Sequence, residues 1–141
     1  CEARFAMERA CAPLACARRT PDHLATMRAE ISRQSQPGLS DESWCASDVA
    51  FHRALVDAAD NPVLSYNLSG SVEAMQPLMN MITFTARSRE KIIMLHTQIA
   101  NAVETRNADA CDQLLQELAT YTAELGENVR QARQTDREKE K

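Results

Sequence analysis

The chain has 141 residues, a net charge of −4 and 44% hydrophobic residues. That is one domain with enough apolar material for a real core. No uncharged apolar run approaches the ~20 residues of a membrane span, and no basic stripe suits phosphate binding. Five cysteines (1, 11, 16, 45 and 111) form no CxxC pair and no secretory framework, so they read as buried thiols of a reducing, cytoplasmic protein. Cys1 stands where an initiator Met would, and the start reads as interior to a longer chain.

Abundant Ala, Leu, Glu, Gln and Arg, only three glycines and no period-2 alternation predict an all-α protein. A first helix is expected over 2–18, with Phe5, Ala12 and Ala15 inside and a kink at Pro13. Thr20-Pro21 opens a second helix, whose Leu24, Met27 and Ile31 share a face until Pro37-Gly38 breaks the chain. Ser40-Asp41-Glu42 caps a third helix that stops before Pro62. A fourth runs from Pro62 to about Ala86, bent at Gly70 or Pro77. Ser88 caps the fifth, where Ile92, His96, Ile99, Ala100 and Val103 recur at helical spacing. Asn107 turns into the sixth, with Leu114, Leu115, Leu118, Tyr121, Leu125 and Val129 inward. The charged tail from Gln134 has nothing to bury and is expected to fray.

The chemistry concentrates on two of these helices. Asp48 and His52 lie four residues apart, hence one turn apart on one face, and they share that face with Phe51, Leu55, Val56 and Ala59. His96 falls on the inner stripe of the fifth helix. Burying such groups without partners costs about 2–7 kcal/mol for a neutral polar group and more for a charge. An internal polar pocket that takes a metal ion or a small ligand follows.

The order Arg4-x3-Glu8, Asp48-x2-Phe51-His52, Asn61-Pro62-x-Leu64 and a late helical His96 resembles the FadR-type C-terminal (FCD) domain of GntR-superfamily transcription regulators. The resemblance extends from Glu2 to about Val129. It implies an antiparallel bundle of six or seven helices around an effector pocket and a winged helix-turn-helix domain upstream. Residues 1–133 would then be the effector-binding and dimerisation domain, and 134–141 a disordered charged tail. In the family's metal-binding branch an Asp, the His four residues later and two further His converge. The first three map onto Asp48, His52 and His96, and the fourth maps onto Leu118, which cannot coordinate.

The resemblance therefore implies a three-ligand zinc or nickel site, or a metal-free pocket where both histidines bond the effector directly. It also lets Arg4 point inward to grip an effector carboxylate, against a plain i,i+4 salt bridge with Glu8. His23, Arg87 and Arg89 read as surface residues. The function implied is sensing of a small organic acid by a homodimer that meets DNA only through the upstream domain, with no catalytic residue. A hydrolase built on Asp48, His52 and His96 is the alternative, although no general base stands as in a His-Glu-x-x-His helix. A ligand-free helical interaction module is another.

Overall fold

The computed structural model describes residues 2–70 and 87–141, and among them every regular element is helical. The helices are α1 (Glu2–Arg18), α2 (Pro21–Gln34), α3 (Asp41–Ala58), α4 (62–70 within the described residues), α5 (Arg89–Glu104) and α6 (Ala108–Lys139). The expected bend at Gly70 or Pro77 falls at or beyond the edge of the described residues.

Local chemistry sets the helix starts. Oxygens of Thr20, Ser40, Ser88 and Asn107 each accept the backbone N–H three residues on, satisfying a donor that the helix cannot. His23, read as a surface residue, completes the Thr20 cap, because its Nδ1 accepts the Thr20 N–H at 3.1 Å. Asn61 Oδ1 accepts from Val63 and Leu64 and opens α4. α1 continues as one helix through Pro13.

The core forms where the apolar faces meet. α2 packs along α3, α1 along α6, and α5 against both α2 and α6. Trp44, Phe51, Leu55, Ile92, Leu95, Ile99, Leu115 and Leu118 are fully buried. Each side chain of that size contributes about 1.5–3 kcal/mol when taken from water. The buried stripe of α6 is Cys111, Leu115, Leu118 and Thr122; Leu114, Tyr121, Leu125 and Val129 flank it half-buried rather than lining it. Met94 is 47% exposed and fills no gap in the core.

Three arginines tie the C-terminal ends of helices together. Arg106 donates to Cys16 O and Ala17 O, Arg19 to Val103 O and Glu104 O, and Arg18 to Ala59 O and Asp60 O. These carbonyls lie in the last turn of a helix or just past it, where intrahelical donors run out, and a cation there also suits the helix dipole.

The charged tail does not fray at Gln134: α6 runs on as a fully exposed helix to Lys139. Good helix formers carry it, and an Arg130–Glu127 pair (3.0 Å) just before it adds a few tenths of a kcal/mol. Cys11, Cys16, Cys45 and Cys111 are buried free thiols.

Candidate metal and effector site

Helix α3 turns Asp48 and His52 inward from consecutive turns, and α5 lays His96 opposite them. All three are buried. Asp48 Oδ1 lies 3.3 Å from His52 Nε2 and 3.3 Å from His96 Nε2. The three atoms are within 4.8 Å of one another. Neither approach has hydrogen-bond alignment, so Oδ1 and both Nε2 atoms are buried without a hydrogen bond.

The far side of each ring explains why the Nε2 atoms face inward. Gln34 Oε1 is 2.8 Å from His96 Nδ1. An amide oxygen only accepts, so His96 carries its hydrogen on Nδ1 and presents a bare lone pair at Nε2. That lone pair faces a carboxylate oxygen across 3.3 Å, one acceptor against another. Glu8 Oε1 stands 2.9 Å from His52 Nδ1. Phe51 stacks on the His96 ring (centroids 4.1 Å, planes 16° apart) and meets His52 edge-on, which limits both rings to this orientation.

A cation fits this donor set. Tetrahedral zinc holds nitrogen and oxygen ligands at about 2.0–2.1 Å, which sets those atoms about 3.3–3.4 Å apart. Both measured separations from Asp48 Oδ1 match. The donors are imidazole and carboxylate, the set suited to zinc or nickel, and the acceptors now facing one another would share a positive charge.

The surrounding charges are arranged to match. Burial raises the Asp48 pKa, but Arg87 beside it, with His52 and His96, outweighs burial and holds the carboxyl well below its usual range. Burial likewise opposes ionisation of Glu8, and His52 and Arg4 overcome it. For His52, burial disfavours the proton while Glu8 and Asp48 favour it, and the pKa rises. Burial dominates at His96, whose pKa falls to about 4. Two ionised carboxylates and a neutral His96 suit a divalent ion, whereas the raised His52 pKa works against it, because metal binding must displace that proton.

The geometry brings together Asp48, His52 and His96 as expected and adds three residues. Arg87, read as solvated, is corrected: its side chain is 7% exposed and donates to Asp48 Oδ2 at 3.2 Å. Its burial depends on a carboxylate 39 residues away, which no local pattern reveals. Arg89, also read as solvated, is one-third exposed and bonds Asp41 and Leu39 O. Glu8, read only as a salt-bridge partner of Arg4, and Gln34 also belong here, and each falls at core spacing: Phe5-Glu8-Ala12-Ala15 and Met27-Ile31-Gln34. A polar residue inside such a stripe was the available signal. Arg4 does bond Glu8 at 3.2 Å, but inward, toward a fully buried carboxylate rather than on the surface. Leu118 is fully buried on α6. An open groove of about 440 Å³ along α5 and α6, lined by Gln98, Asn101, Gln113 and Glu117, shares no residue with this centre.

A family model described as the FCD domain matches residues 1–120. The chain belongs to the FCD family. FCD domains are the regulatory, effector-binding domains of GntR-type regulators rather than enzymes. No curated protein matches the sequence. Among the described residues, no helix is long and apolar enough to cross a membrane.

Proposed function

We propose that this FCD domain senses a small organic acid through a divalent ion, zinc or nickel, held by Asp48, His52 and His96. The observation that carries the reading is the convergence of Asp48 Oδ1, His52 Nε2 and His96 Nε2, buried and without hydrogen bonds. When bound, the ion supplies a Lewis-acidic point for a carboxylate or an α-hydroxy-carboxylate, and a three-ligand site keeps positions open for it. Leu118 stands where the family's metal branch has a fourth ligand, which favours weaker, exchangeable binding.

The chain's own residues receive the acid. Arg4 Nη2 and Arg87 Nε are buried donors without a hydrogen bond, beside the two carboxylates they neutralise. Each is suited to a second carboxyl group of the ligand, since guanidinium geometry matches a carboxylate. The residues that would hold ion and acid come from α1, α3, α5 and the segment just before α5. A homodimer of the full regulator, in the cytoplasm, converts occupancy into altered DNA binding by an upstream winged helix-turn-helix domain. That requires the acid to bind one arrangement of the dimer more tightly than the other.

The metal-free reading draws on His52, whose proton affinity is raised between Glu8 and Asp48 and which would meet an acid as a charged donor. Calorimetry separates the two. The chelator-treated protein is titrated with zinc, then with a panel of hydroxy- and dicarboxylic acids. We expect one zinc per chain, acid binding only in the zinc-loaded form, and at least about 100-fold weaker zinc binding in Asp48→Asn, beyond the loss typical of a residue that only supports a ligand. Equal acid binding with and without zinc sinks the metal-dependent reading.

A further inference from the structure

Glu8 is fully buried, and nothing about packing calls for a carboxylate in the middle of the α1 stripe. A buried ion pair gives little or no net stability over an apolar side chain of similar size. Stability therefore leaves the charge of Glu8 unexplained, whereas its place does not. Oε1 reaches His52 Nδ1 at 2.9 Å on one side and Arg4 Nε at 3.2 Å on the other, and Oε2 is buried with no hydrogen bond. The Nδ1 contact is off hydrogen-bond alignment, as are the Nε2 contacts to Asp48, so the ring lies between two carboxylates without a full bond to either.

We infer that Glu8 is a positioning residue for the metal site: from α1 it fixes the hydrogen of His52 on Nδ1 and turns the Nε2 lone pair toward Asp48 and His96. The inference rests on the metal-site reading proposed above. His96 provides the internal comparison, because Gln34 performs the same task there with a neutral amide oxygen at 2.8 Å. A carboxylate 2.9 Å from Nδ1 makes His52 the more basic of the two donors, as an anionic neighbour does for a ligating imidazole. Arg4 holds the carboxylate in place, so α1, which supplies no ligand atom of its own, becomes part of the site. A metal bound at Nε2 and the orientation of Glu8 are thereby coupled through one ring.

The test is zinc titration of the 1–141 chain by calorimetry, together with proton–nitrogen NMR of the imidazoles in the zinc-loaded form. Glu8→Ala is expected to weaken zinc about 10–100-fold, the range for residues that orient a ligand. Its His52 Nδ1–H signal should vanish into exchange with water while that of His96 persists. Glu8→Gln, which gives His52 the kind of partner His96 already has, should keep the signal and recover most of the affinity. The inference is overturned if Glu8→Ala binds zinc within about 3-fold of the parent, with the metal site itself left standing. It is also overturned if Glu8→Ala loses both imidazole signals and its helical circular dichroism, the mark of a merely structural role. A parent chain that binds no zinc overturns the metal site and this inference with it.

Discussion

Charge is handled in two opposite ways in this domain, at the helix ends near the surface and in the core. Where α1, α3 and α5 end, Arg18, Arg19 and Arg106 each find two carbonyl oxygens at 2.7–3.3 Å, and the arrangement is complete without any further atom. Around Asp48 the reverse holds. Arg4, Glu8, Gln34, Asp48, His52, Arg87 and His96 all keep at least one buried polar atom without a hydrogen bond. Each such atom costs about 1–3 kcal/mol in a folded interior. The contacts of the arginine seam are complete in themselves, whereas in the centre the proposed metal and acid would supply the missing partners. A site is recognised here by what it leaves unsatisfied.

That contrast is sharpest where a ligand is added. Leu118 is buried on α6, and it is the position onto which the resemblance maps the family's fourth metal ligand. Leu118→His is expected to complete an Asp/His₃ set and tighten zinc by about 10-fold or more, read by competition with a coloured chelator. Unchanged affinity would mean that α6 does not face the centre at this position. The seam should behave in the opposite way. Arg106→Ala removes two charge-assisted bonds that are only partly shielded from water, so we expect a loss of about 1 kcal/mol in urea denaturation. Zinc affinity should not move. A variant that left stability intact but changed zinc binding would erase the distinction between the two regions.

Much of this was legible in the sequence because it is local. The α1 limits at Glu2 and Arg18 and the caps at Thr20, Ser40, Ser88 and Asn107 follow from chemistry within four residues. Asp48 and His52 declared themselves by sharing a helical face with Phe51 and Leu55. What escaped was set by tertiary contact. Arg87, just before α5, is buried only because Asp48 meets it from α3, and Glu8 and Gln34 were single polar residues in apolar stripes whose tertiary partners no local pattern reveals. The tail was misjudged for another reason: it buries nothing, as expected, yet helix propensity alone continues α6 through it.

The central claim is that Asp48, His52 and His96 form one metal site, and X-ray absorption at the zinc edge of the loaded protein tests it most directly. The account requires nitrogen and oxygen ligands only, with the outer-ring scattering of two imidazoles. Four buried free thiols among the described residues make the opposite result a real competitor. A sulfur ligand at about 2.3 Å, or scattering from fewer than two imidazoles, would contradict it.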